Sequence, residues 1–143
     1  RRGIGREMTP DSVDLDLMAR TIYGEARGEP DEGWSAVAWV IRNRAAKGGW
    51  RGDTPAHVCL CRAQFSCWNK LDPNRQVIAD LTLFHPGYRK ALRIAGQVMD
   101  APDDSDPIKG AMHYHVRGTV PPWVAGADSC ATIGRHVFFN SIK

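Results

Sequence analysis

The sequence predicts an α+β fold that is mainly α: a helical body closed by a small β element at the C-terminus. Two observations carry this. Apolar residues recur at helical spacing between Pro and Gly punctuation over roughly the first hundred positions. Beyond about residue 110 the pattern shortens to brief alternating runs. With 143 residues, 43% hydrophobic and 24% charged, the chain suits one ordinary domain around one core.

The first helix is expected to start at Thr9-Pro10, a capping hydroxyl followed by Pro at the first helical position. Leu15, Met18, Ala19, Ile22 and Ala26 follow helical spacing. Asp11, Asp14 and Asp16 load its early turns with negative charge, which suits the positive helix end. Gly24, Gly28 and Pro30 place its end between Glu25 and Gly28. A second helix is expected from about Asp31 to Ala46. Trp34, Val37, Ala38, Val40, Ile41 and Ala45 give it an apolar face broad enough for a buried central helix. Arg42, Arg44 and Lys47 sit near its C-terminus, and Gly48-Gly49 terminates it.

Thr54-Pro55 opens a short third helix carrying Val58 and Leu60. Residues 63–74 read as a loop rich in polar and aromatic groups. Helical character is expected again over Val77 to Leu83. After Pro86-Gly87 it returns through Tyr88, Ala91, Leu92, Ala95, Val98 and Met99. Ala101 to Asp106 is a polar acidic loop. Ala111 to Val116 and His136 to Phe139 read as short strands.

Lys plus Arg number 19 against 16 Asp plus Glu, a net charge of +3. That is too weak to argue for nucleic acid, though it fits an acidic polymer. No apolar run approaches the roughly 20 residues of a membrane span. The N-terminal Arg1-Arg2-Gly3-Ile4-Gly5-Arg6 shows no secretory signal. Cys59, Cys61, Cys67 and Cys130 admit three readings: a zinc site, a disulfide from the cluster to Cys130, or buried free thiols.

The segment Tyr23-Gly24-Glu25-Ala26-Arg27-Gly28-Glu29-Pro30 carries the candidate chemistry. Glu25 follows Ile22 by three residues, so it sits beside the apolar stripe at a helix C-terminus. Burial and the helix dipole there both disfavour an ionised carboxylate, which suits a general acid for glycosidic cleavage. The alternative is a solvated pair of carboxylates, Glu25 and Glu29, around Arg27.

The run Ala19 to Arg44, with Gly24-Glu25-Ala26-Arg27-Gly28-Glu29 at its heart, resembles the cell-wall hydrolase family of the spore cortex-lytic (SleB-type) enzymes. Gln64-Phe65-Ser66-Cys67-Trp68-Asn69, Gly110-Ala111-Met112-His113-Tyr114-His115 and His136-Val137-Phe138-Phe139 are similar to that family's later landmarks, in the same order. The resemblance covers about residues 13 to 140. It implies an N-terminal extension over 1–12 and a single catalytic domain over 13–143. It also implies a lysozyme-like helical fold with a long cleft, and Glu25 as the catalytic acid.

Similar enzymes are lytic transglycosylases that cut between N-acetylmuramic acid and N-acetylglucosamine of peptidoglycan. In them one carboxyl acts first as acid and then as base, leaving 1,6-anhydro-muramic ends. Glu29 reads either as a supporting second carboxylate or as a structural partner of Arg27 or of the second helix. A hydrolase would need such a carboxylate at about 5–5.5 Å for retention or about 6.5–9.5 Å for inversion.

Gln64, Phe65, Ser66, Trp68 and Asn69 pair hydrogen-bonding groups with apolar faces and are candidate substrate-binding residues. Phe65 and Trp68 also fit a plain core. His113 and His115 share one strand face and Tyr114 takes the other. A metal on the two histidines is one reading; Tyr114 in the cleft, holding sugar or the catalytic carboxyl, is preferred, and His113 and His115 then join the substrate-binding set. No cofactor or resident metal is expected. The expected partner is the peptidoglycan glycan strand, met by a monomer.

Two alternatives stand beside transglycosylation. One is another wall-bond enzyme: a muramidase using Glu29 or Glu32, or an amidase with a metal on His113, His115 and a third ligand. The other is a non-enzymatic murein-binding module. The cysteine-rich stretch and the lack of a binding repeat or signal depart from the best-known spore enzymes. They suggest a phage or prophage endolysin, held in the cytoplasm until release, or a wall-remodelling enzyme of the periplasm or cell wall.

Overall fold

A computed structural model describes residues 8–142. Helices α1 (Ser12–Ala26), α2 (Asp31–Lys47), α3 (Pro55–Leu60), α4 (Asn74–Ala79) and α5 (Pro86–Asp100) come first. Strands β1 (His113–Val116), β2 (Ala131–Ile133) and β3 (His136–Phe139) follow. The sheet is antiparallel in the order β1-β3-β2, with Tyr114 opposite Phe138. The fold is thus mainly helical with a small C-terminal sheet, as expected. No described helix is long and apolar enough to cross a membrane. Of the extension expected over 1–12, residues 1–7 lie outside the described residues.

The cap of α1 is Asp11 rather than Thr9. The Asp11 carboxylate accepts from Asp14 N (2.8 Å) and Asp14 reciprocates to Asp11 N (3.0 Å). A two-way capping box satisfies two orphan amides where Thr9 would satisfy one. Asp14 also accepts from Ala56 N (2.9 Å), which fastens the start of α3 to α1. Thr54 caps α3 as expected, accepting from His57 N (3.2 Å). Asp16 takes the Arg20 guanidinium (2.9 Å) and the Tyr88 hydroxyl, so the acidic early turns of α1 also bind α5.

Helix α2 is the centre of the core. Ala36, Val37, Ala38, Val40, Ile41 and Ala45 are fully buried. Of the three cations near its C-terminus, Lys47 is exposed while Arg42 and Arg44 are buried. Arg42 donates to the carbonyls of Val98 (2.8 Å) and Ala101 (2.7 Å), and pairs with Asp103. It thereby satisfies orphan acceptors at the end of α5 that a solvent-facing cation would leave to water.

Three other elements depart from the sequence expectation. Helix α4 starts at Asn74, where Asp72 accepts from Asn74 N (2.8 Å), and stops at Ala79. Leu81 then turns into the core while Leu83 and Phe84 stay exposed, a split no helical stripe allows. In α5, Ile94 is buried and Leu92 only half-buried, because the stripe drifts around the helix. Strand β2 was not anticipated; at three residues it is too short to show an alternation. The four cysteines are free thiols, with Cys59 and Cys67 fully inside the core.

Arg42→Ala takes the guanidinium from Ala101 O and leaves Val98 O with only the Ala101 N–H. The variant is expected to lose about 3 kcal/mol. Urea unfolding should show a lower midpoint at unchanged slope; an unchanged midpoint would contradict this role.

Candidate active site

Glu25 is the penultimate residue of α1, half-buried where the helix meets the sheet. The approach depends on Gly24. A Cβ there would lie 2.8 Å from Cys67 Cβ and 3.0 Å from Ile78 Cγ2. Only glycine lets the turn Ser66–Trp68 press against α1 this closely. Trp68 Nε1 secures the contact by donating to Thr21 Oγ1 on α1 (2.8 Å).

From the other side, β1 delivers Tyr114, whose hydroxyl donates to Glu25 Oε1 (2.6 Å). The Tyr114 ring packs on His136 (centroids 4.8 Å apart) and Phe138 (5.5 Å). Burial, and then Glu25, push the Tyr114 hydroxyl well above its ordinary range, so it stays a donor. Glu25 also faces the buried Cys67 thiol, which burial and then the Glu25 carboxylate push well above its ordinary range, so the thiol too stays a donor toward it.

Arg44 enters the same neighbourhood from α2. It is 5% exposed, donates from Nε to Met112 O (2.8 Å) and stacks over the Phe65 ring at 5.0 Å. Burial pulls it down to about 10, and Tyr114, Cys61 and Glu25 oppose that shift. It remains a cation at neutral pH. Its Nη1 is buried with no partner among the described residues. Arg44 is thus a buried cation within the field of Glu25 and Tyr114.

Glu29 has a different environment. Its carboxylate accepts from Arg135 N (2.7 Å) and Arg135 Nε (2.8 Å), and its carbonyl accepts from Trp34 Nε1 (3.1 Å). Gly134, with φ +58°, makes room: a Cβ there would collide with the Glu29 carboxylate. Burial alone would push Glu29 up, but the backbone and side-chain bonds from Arg135, helped by His136, bring it below its usual range. Its partner is therefore Arg135. Arg27 instead reaches Asn74 (2.6 Å) and lies over Tyr23.

On the opposite face of β1, His113 and His115 both pack against Trp123, with centroids 5.5 Å and 5.9 Å away. Burial, then Arg51 and Arg44, depress His113 to about 4. The neutral ring sets its Nε2 3.0 Å from Arg51 Nη2, where it accepts. His115 Nδ1 lies 2.8 Å from the Val116 carbonyl. Among the described residues no three His, Cys, Asp or Glu gather as a metal-holding group. The third ligand that an amidase would need is not beside them.

Phe65 is 2% exposed and Trp68 half-buried, so both belong partly to the core. Both also line a cavity with Asn69; Gln64 and Ser66 do not. Sequence reasoning missed Arg44, Arg51, Trp123, Arg135 and His136. Only Arg44 left a signal: it falls three and seven residues after Ile41 and Val37, on the buried stripe of α2.

The sequence pattern of the cell wall hydrolase family matches residues 28–139. The spore cortex-lytic enzyme of Halalkalibacterium halodurans is 33% identical over 128 residues, 89% of this chain and 34% of that protein. The spore cortex-lytic enzyme of Bacillus subtilis is 32% identical over 126 residues, 87% of this chain and 37% of that protein. The chain thus spans little more than a third of the length of these curated relatives. The catalytic domain of the Bacillus cereus SleB protein matches with TM-score 0.74 and 27% identity, covering 96% of this chain and 100% of that one. The catalytic domain of the germination-specific lytic transglycosylase SleB from Bacillus anthracis matches with TM-score 0.71 at 24% identity, over 94% of this chain and 100% of that one, a likeness of fold alone. The family match opens at Gly28, three residues beyond Glu25.

The Glu29 carboxylate is favoured as the anion in the fold. Its pairing therefore contributes stability above about pH 4.3, the ordinary glutamate value, and loses it as pH falls through the lower folded value. Glu29→Gln should cost about 1–2 kcal/mol near neutral pH. By urea unfolding, that gap from the wild type should close in acid. A gap that stays constant down to about pH 3 would contradict the pairing.

Proposed function

The chain belongs to the cell wall hydrolase family of the spore cortex-lytic enzymes, and from that premise we propose that it cleaves the glycan strands of peptidoglycan as a lytic transglycosylase with Glu25 as its acid and base. One observation carries this reading. Two carboxylates stand in one short block, and they are used differently. Glu29 has both oxygens bound by Arg135. Glu25 forms no ion pair among the described residues and is met instead by two neutral donors, the Tyr114 hydroxyl and the Cys67 thiol.

The chemistry follows from that asymmetry. Glu25 gives its proton to the oxygen bridging N-acetylmuramic acid and N-acetylglucosamine as the C1–O bond breaks. The resulting carboxylate is stabilised by the Tyr114 hydroxyl and by the Arg44 charge. It then takes the proton of the muramic C6 hydroxyl as O6 bonds to C1. An anhydro ring closes, the acid is restored, and no water is consumed. A single carboxyl suffices, whereas hydrolysis would need a second one free to activate water. Glu29 is engaged elsewhere, and Glu32 lines a different pocket with Pro30, Ser35 and Pro107. That distribution favours transglycosylation over a muramidase.

The test compares wild type with Glu25→Gln on purified peptidoglycan, by mass spectrometry of released fragments and by co-sedimentation. The wild type should release muropeptides with anhydro-muramic ends, one water lighter than hydrolytic products. Glu25→Gln should still sediment with the polymer and release nothing. Release at an undiminished rate by Glu25→Gln would remove Glu25 from the chemistry. Binding without turnover by both proteins would favour a murein-holding module.

A further inference from the structure

The segment between α3 and α4 walls a cavity of about 510 Å³. Phe65 and Trp68 form its apolar side, Asn69 adds an amide, and Arg62, Lys70 and Arg75 bring positive charge. No carboxylate lines it. Arg75 is oriented by donating to Trp68 O (3.0 Å). Arg62 and Lys70 are exposed and form no ion pair within the described residues.

This cavity adjoins the candidate acid. Phe65 lies beneath the Arg44 guanidinium at 5.0 Å. Cys67, between Phe65 and Trp68 in sequence, abuts Gly24, the residue before Glu25. Leu60 and Cys61 are shared with a second hollow of about 470 Å³ that holds the exposed Trp50. The stretch Phe65 to Trp68 thus both walls this cavity and packs against the helix end that carries Glu25.

A glycan of N-acetylated sugars is neutral, so three cations without a counter-charge add nothing to its recognition. Muramic acid, however, carries a substituent at its lactyl group: a short peptide with free carboxylates. We propose that the Arg62–Lys70–Arg75 cavity is a subsite for the carboxylate-bearing stem peptide of muramic acid, on the strand that Glu25 cleaves. The inference rests on the glycan-cleaving reading for its placement along the strand. The volume fits a peptide of a few residues, within the usual range of about 300–1,000 Å³ for ligand pockets. A lactyl carboxylate alone would leave it largely empty. Phe65 and Trp68 offer the apolar wall that the aliphatic parts of such a peptide need, and the cations supply the charge match.

The test is binding of the Glu25→Gln protein to three forms of purified peptidoglycan, by co-sedimentation for the two insoluble forms and, for the third, whose strands are soluble once uncrosslinked, by competition against the native polymer. One is native, one has its carboxyls amidated with carbodiimide and methylamine, and one has its stem peptides removed by an amidase. Amidation and stem removal should each weaken binding by about tenfold. Adding Arg62→Gln and Lys70→Gln to Glu25→Gln should weaken binding to the native polymer by a similar factor and make it indifferent to amidation. Equal affinity for native and amidated polymer would overturn the subsite. So would a charge-removed variant that still discriminates. Undiminished binding to stripped strands would assign the charge recognition to the lactyl group and overturn the stem-peptide assignment. Fragment release by the wild type is scored separately. If it releases nothing while amidation still weakens binding, the cleavage reading fails and the subsite stands.

Discussion

The hydrogen bond from Tyr114 to Glu25 is the contact on which the site depends. It joins residues 89 positions apart, one at the end of α1 and one on β1. Its length of 2.6 Å requires the strand register that sets Tyr114 opposite Phe138, and the rings of His136 and Phe138 that hold the phenol in place. It also requires that nothing larger than hydrogen stand at Gly24, where Cys67 presses on the helix. The Glu29–Arg135 pair runs parallel to it and ties the β2–β3 turn to the start of α2. Two long-range bonds thus lock the small sheet onto the helical body. One meets its carboxylate with a neutral hydroxyl and the other with a guanidinium and a backbone amide.

The two buried arginines of α2 show how the fold divides stability from function. Arg42 and Arg44 are both almost fully enclosed, at 2% and 5% exposure. Arg42 spends its donors on the carbonyls at the end of α5 and on Asp103, a structural arrangement. Arg44 keeps a buried Nη1 without a partner among the described residues and lies in the field of Tyr114 and Glu25. An unmet buried donor costs about 1–3 kcal/mol. Such a cost is tolerated where the charge has a use, and the proposed use here is beside the Glu25 carboxylate.

Local rules were legible in the sequence wherever one element sufficed to state them. The Thr54-Pro55 cap, the buried stripe of α2 and the span of α5 follow from spacing and capping alone. The cap of α1 was misassigned because Asp11 and Asp14 satisfy each other, which outcompetes the single hydroxyl of Thr9. Strand β2 was invisible because three residues carry no period. At the site, Glu25 stood out through its block and its helix end, and Tyr114 through strand alternation. Arg135 and His136 could not be read, since their relation to Glu29 and Tyr114 spans the chain and exists only once the sheet docks. Arg44 could be placed near the helix end, but its contacts with Phe65 and Met112 exist only once distant segments pack on α2.

The central claim is that one carboxyl does both proton transfers and that water takes no part. Digestion of purified peptidoglycan in oxygen-18-enriched water, followed by mass spectrometry of the newly formed muramic ends, tests it directly. The account predicts ends that carry no oxygen-18 at any extent of reaction. Incorporation of one oxygen-18 per bond cleaved would mean that water attacks C1, and that a second base operates where the account has none.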